Sequence, residues 1–170
     1  MPTTITLIGS VTVGSGGAAN IQFTSIPGTH TDLFLKTSLR STVTDGNDPY
    51  DLILTLNSTS TIASRVLRAN GSVVTTNSIT DRILRAGPVP SNWTTETFSN
   101  SEIYIPNYTT SQNKTWHATS VTENAATTAD MSFVGGLTSI SPAVTSITIA
   151  GLAGNLAQHS TAYLYGIKNS

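Results

Sequence analysis

Leu33-Phe34-Leu35-Lys36-Thr37-Ser38-Leu39-Arg40 holds the fold in miniature. Leu33, Leu35, Thr37 and Leu39 share one parity, while Phe34, Lys36, Ser38 and Arg40 share the other. That two-residue period belongs to a β-strand with one face in a core and one toward water. Each fully buried Leu contributes ~1.5–3 kcal/mol, so the inward parity carries much of a typical domain's stability.

The same alternation recurs in both directions along the chain. It is read at Ile5 and Leu7, Ile21 and Phe23, Leu52, Leu54 and Leu56, Ile103 and Ile105, Ile147 and Ile149, and Tyr163, Tyr165 and Ile167. Turn chemistry separates these runs: Gly14-Ser15-Gly16-Gly17, Pro27-Gly28, Asp45-Gly46-Asn47-Asp48-Pro49, Asn70-Gly71, Gly87-Pro88 and Gly135-Gly136 supply positive or preset φ. Asn70-Gly71 is the clearest hairpin signal. About nine or ten short strands in one unit predict an all-β fold. The expected form is a single antiparallel β-sandwich over residues 1–170, jelly-roll-like, with its loops gathered at two ends.

Two runs strain this reading. Residues 62–69 and 79–86 share Ile-x-x-Arg-Val/Ile-Leu-Arg-Ala and are followed closely by Gly71 and Gly87, a pattern that also suits a short capped helix. Runs of about eight residues are too short to be helical without packing, so strands are the expected reading.

Composition narrows the function. Only 10% of the 170 residues are charged, against about 25% in an ordinary soluble domain. Thirty Thr, 21 Ser and 12 Asn supply the polarity instead. Thr suits a pleated, half-wet surface, because its methyl packs while its hydroxyl finds water or a neighbouring strand. With no Cys, thiol nucleophiles and Cys-based zinc sites are excluded. A net charge of -1 argues against nucleic acid as a partner. No apolar run approaches the ~20 residues of a membrane-spanning helix and no secretion signal is visible at Met1-Pro2-Thr3, so the expectation is a protein made in a cytoplasm without a membrane partner.

Chemistry-bearing residues are sparse. His30, His117 and His159 have no spacing that suggests shared metal ligation, and no Gly-x-Ser-x-Gly elbow accompanies them. Asp45 to Asp51 gathers three carboxylates and an amide, but Tyr50 and Leu56 stand where a calcium loop needs Gly and Glu, so a solvated turn is expected. Gly14 to Gly17 precedes an alternating run rather than a helix, which removes the phosphate-cradle reading. Glu96, Glu102 and Glu123 fall on separate segments, a weak basis for a paired-carboxylate carbohydrase. No cofactor and no catalytic residue are expected.

Arg65, Arg68, Arg82 and Arg85 make up half of the eight Lys and Arg residues. Such a cluster either docks an acidic partner or neutralises nearby carboxylates such as Asp81. Beside it, Gly87-Pro88-Val89-Pro90-Ser91-Asn92-Trp93 ends in an aromatic that serves either an interface or the end of the core. These four arginines and Trp93 form the candidate partner interface.

Four stretches remain: Ser25-Ile26-Pro27-Gly28-Thr29-His30-Thr31-Asp32-Leu33, Ser101-Glu102-Ile103-Tyr104-Ile105-Pro106-Asn107-Tyr108, Ser120-Val121-Thr122-Glu123-Asn124 and Tyr163-Leu164-Tyr165-Gly166-Ile167-Lys168. With their spacing they resemble small tail-fibre and capsid-surface proteins of bacteriophages, notably phages of aquatic bacteria and cyanobacteria. The resemblance implies a non-enzymatic virion component, a β-sandwich assembling as a homotrimer. Because the sequence shows no collagen-like or heptad repeat, a capsid decoration (cement) protein bound to the major capsid protein is the expected role. A tail-fibre tip binding a host surface glycan through Trp93, Tyr108 or Trp116 is the alternative, although Trp116 alternates with Thr115 and His117 in a strand and reads as core, and a sandwich-type carbohydrase is the third.

Overall fold

The computed structural model describes residues 4–44, 50–59, 62–83, 85–123 and 129–168. Eleven strands occur: β1 (Ile5–Thr12), β2 (Ile21–Phe23), β3 (Asp32–Leu39), β4 (Leu52–Leu56), β5 (Ile62–Ala69), β6 (Val74–Thr80), β7 (Ser99–Ile105), β8 (Lys114–Glu123), β9 (Ala129–Thr138), β10 (Ile147–Gly151) and β11 (Thr161–Ile167). No helix occurs among the described residues.

The pairing order is that of a jelly roll. β1 pairs with β11, β2 with β10, β3 with β7, and β4 with a single bridge at Ile83, so the chain pairs first with last and works inward. β11 also pairs with β3 and β10 with β4, which closes the two sheets, and every strand pair is antiparallel. Two hairpins enlarge one of them. β5–β6 and β8–β9 join β7's open side, giving an eight-stranded sheet in the order β1-β11-β3-β7-β8-β9-β5-β6 against a three-stranded sheet β2-β10-β4.

The predicted parity holds where it matters most. Leu33, Leu35, Ile103, Ala162 and Leu164 of the large sheet meet Ile21, Leu52, Leu54, Ile147 and Ile149 of the small one in a single cluster with almost no exposure. Three readings are corrected. Ile5 and Leu7 face outward, each 52% exposed, because their partners Ile167 and Tyr165 lie on the outward parity of β11. On β11 it is Ala162 and Leu164 that are buried, not Tyr163, Tyr165 and Ile167. Gly135-Gly136 is not a turn but mid-strand in β9, where Gly136 leaves room for the Trp116 ring on the inner face.

Three strands cannot cover eight. Residues 81–83 and 85–89 lie over the uncovered inner face as irregular backbone, and buried serines supply partners for their carbonyls. Ser64 Oγ donates to Arg82 O (3.3 Å), Ser120 Oγ to Arg85 O (2.9 Å) and Ser101 Oγ to Ala86 O (2.8 Å). A buried carbonyl without a partner costs ~1–3 kcal/mol, so the hydroxyls keep a non-repetitive segment affordable inside. This is one use of the chain's hydroxyl-rich composition.

Candidate functional site

The arginine cluster is largely neutralised within the fold. Arg68 Nε donates to both carboxylate oxygens of Asp130 (3.0 and 2.9 Å), and Nη2 completes the pair. Asp130 is 5% exposed, so this is an internal ion pair. Arg82 Nε lies 2.9 Å from Asp51 Oδ2, and its Nη1 bonds the exposed Asp81 at 3.2 Å. Arg85 contributes its backbone amide to Asp51 Oδ1 (2.9 Å). Arg65 alone projects from the outer face of the large sheet, where its Nη1 reaches only Ser64 O at 3.0 Å. Of the four, Arg68 and Arg82 are thus engaged by carboxylates of the chain itself, and Arg65 stands on the outer face of the large sheet.

Trp93 is 7% exposed, in a loop held by a residue the alternation misplaced. Arg40 ends the period of β3 on the water parity, yet it is 9% exposed. Past Leu39 the chain leaves the β3 pairing, and the side chain turns in. Its guanidinium donates to Ser91 O (2.8 Å), Trp93 O (3.1 Å), Thr94 O (2.9 Å) and Thr97 O (2.7 Å). Glu123 holds the same loop from the other side through Thr94 Oγ1 (2.9 Å) and Thr97 Oγ1 (2.8 Å). A planar donor fork suits four converging carbonyls, but only the fold brings them together, so no local motif announces the role.

Residues 25–33, 101–108 and 163–168 converge on one end of the sandwich. Asp32, 2% exposed, accepts from Tyr104 Oη (2.6 Å) and from the Asn107 amide (2.8 Å). Tyr108 Oη donates to Pro27 O, and the His30 ring packs on Gly166, where a Cβ would overlap it. Bonding to the Asp32 carboxylate, then burial and the carboxylate's charge, push the Tyr104 hydroxyl up to about 12. Burial raises that of Tyr108. Lys114, 1% exposed at the start of β8, donates to the carbonyls of Thr110, Gln112 and Ser141, and burial lowers its pKa. These are structural ties.

The remaining candidates stay apart. His117 lies on the outer face between Tyr104 (5.4 Å) and Phe133 (6.2 Å), whereas His159 sits in a loop at φ 70°. Glu102 pairs with Lys36 at 3.0 Å, and Glu96 is exposed in the Arg40-held loop. Glu123 lies on β8 four residues past Thr119, the partner of Glu102, and its carboxylate is taken up by Thr94 and Thr97 rather than turned toward Glu102. Of the acidic loop, Asp45 to Pro49 lie outside the described residues, while Asp51 is engaged by Arg82 and Arg85. No group of three metal-ligating side chains occurs among the described residues.

What the sequence reading passed over is the outer face of the large sheet. Leu67, Val74, Val121, Met131, Phe133 and Leu137 lie on this face of β8, β9, β5 and β6 and are 37–66% exposed. Beyond β8 the face turns aromatic and polar, with Tyr104, Phe34, Tyr165 and Tyr163 around the Lys36–Glu102 pair. Trp93 and Tyr108, expected at a sugar-binding loop end, are buried, and Trp116 is a core residue of β8 as its strand alternation implied. No protein family, curated protein or solved structure matches this sequence.

Proposed function

We propose that the chain is a non-enzymatic structural component of a bacteriophage particle, a capsid decoration protein that binds the assembled coat through the major capsid protein. The observation carrying this reading is that three of the four stretches bearing the phage resemblance meet at the buried Asp32 and Tyr108, with Tyr104 and Asn107 bonded beside them, and tie one end of the jelly roll together. The residues that resemble phage surface proteins are those that build the scaffold, and such a scaffold makes rigid contacts. A protein that binds only the assembled coat stabilises that state by mass action. Because Arg68 and Arg82 are already paired within the chain, attachment rests on shape and apolar contact.

A tail-fibre tip is the second reading. It is favoured by the rings of Tyr165, Phe34, Tyr104 and His117, which stand side by side across four strands of the outer face beside the Lys36–Glu102 pair. A particle reconstruction tests both. Density for this chain on the capsid lattice supports decoration, density at a fibre end supports the tip, and its absence from purified particles contradicts both.

A further inference from the structure

The aliphatic half of the outer face calls for a cover. Across β8, β9, β5 and β6 the outward positions form a grid of four strands by four residues, about 15 Å by 20 Å. Arg65 is the only charged residue in it. The six apolar side chains leave on the order of 600 Å² in water, at the upper end for a monomer's largest patch. With the Thr, Ser, Ala and His positions between them the face reaches the order of 800 Å², which is what one partner contributes to an interface of standard size.

We propose that this face binds the same face of a second copy of the chain about a two-fold axis. Such an interface must carry a projection and its recess on one surface, since each copy offers both. Phe133 projects, 50% exposed. It forms one wall of an open groove of about 500 Å³, whose lining also includes Arg65, Leu67, Thr76, Ser78 and Gly135. Gly135 has nothing within 4 Å of where its Cβ would stand, so the recess sits at a position whose side chain the fold does not limit. Sheet faces pack with side chains interdigitated at ~10 Å, and Phe133 of one copy entering the groove of the other is that arrangement. The edge strand β6, seven residues with no charge and no Pro, adjoins the patch and adds no repulsion along it. A lone arginine among neutral groups suits a second copy better than a strongly charged partner.

The proposal is independent of the virion reading and is tested on the chain alone. Sedimentation equilibrium of the full chain, from micromolar to near-millimolar concentration, should give twice the 17.8 kDa chain mass. Phe133→Glu removes the projection and Gly135→Trp fills the recess. Each should weaken self-association by ~30-fold or more while keeping the wild-type far-ultraviolet dichroism. Leu152→Glu changes an equally exposed apolar residue (47%) after β10, away from the face, and should leave the dimer intact. A wild type that remains at the single-chain mass, or that sediments at three times it as the phage resemblance implies, overturns the proposal, as does a dimer that survives both variants. Protection of Phe133 only on adding coat protein would also overturn it, in favour of docking to a different partner.

Discussion

Gly135 and Gly136 are neighbours in β9 with opposite demands. A Cβ at Gly136 would overlap the Trp116 ring, whose Nε1 is fixed by a 3.1 Å bond to Thr138 Oγ1, whereas one at Gly135 meets nothing. Gly136→Ala should cost ~1–3 kcal/mol and lower the melting temperature by several degrees, with Gly135→Ala close to neutral; thermal melts compare them. The dipeptide reads as a turn in sequence because nothing local reveals a tryptophan stacked from the adjacent strand. Leu35, in contrast, was legible from its own neighbours. Leu35→Asp buries an unpaired charge at a position with 0% exposure and should give insoluble protein, checked by soluble yield. Tyr104 gives a pH signature. Its hydroxyl holds its proton up to about 12 in the folded chain, against an ordinary value of ~10 when unfolded. The folded state therefore binds the extra proton between those values, and the stability it supplies is complete below pH ~10 and lost as pH rises toward 12. Lys114 acts with the opposite sign, since its lowered pKa favours folding as pH rises toward its ordinary value. Denaturant titrations of wild type and Tyr104→Phe across this range isolate the tyrosine, and the variant should show the shallower alkaline decline.

At the level of elements, alternation located the inward faces of β2, β3, β4, β7 and β10, because each is flanked by sheet on the inside and water on the outside. It failed where the environment departs from that rule. The twin runs at 62–69 and 79–86 illustrate the limit. The first is β5, paired on both sides, while the second ends β6 at Thr80 and then turns inward, with Asp81 at φ 70° and Arg85 at φ 58°. The first run is flanked by β9 and β6, whereas the second pairs with β5 only as far as Thr80. The loop held by Arg40 was equally invisible, since its four acceptors lie 51 to 57 residues away. Arg40→Met should leave those carbonyls unsatisfied, cost ~2–4 kcal/mol and open residues 91–97 to proteolysis, which mass mapping of limited digests would reveal.

For the whole molecule, strand count and class were readable, but the unequal sheets were not. Nothing in β5–β6 or β8–β9 says which sheet a hairpin will extend, and the choice follows from where β7 leaves an open edge. The same gap hid the outer face. Val121, Met131 and Phe133 look like ordinary strand residues, and their exposure emerges only once three strands and one crossing segment are seen to occupy the inner side. The internal ion pairs set one expectation at this scale. Attachment to particles should persist from physiological to molar salt, because screening weakens exposed charge contacts and spares apolar ones; release at modest ionic strength would point to arginine-mediated docking. The claim of coat reinforcement is tested most directly by heating particles that carry the chain beside particles from which it has been removed, and recording the temperature of genome release. The account predicts release at a higher temperature when the chain is present and recovery of that temperature when purified protein is added back. Equal release temperatures in all three preparations would contradict it.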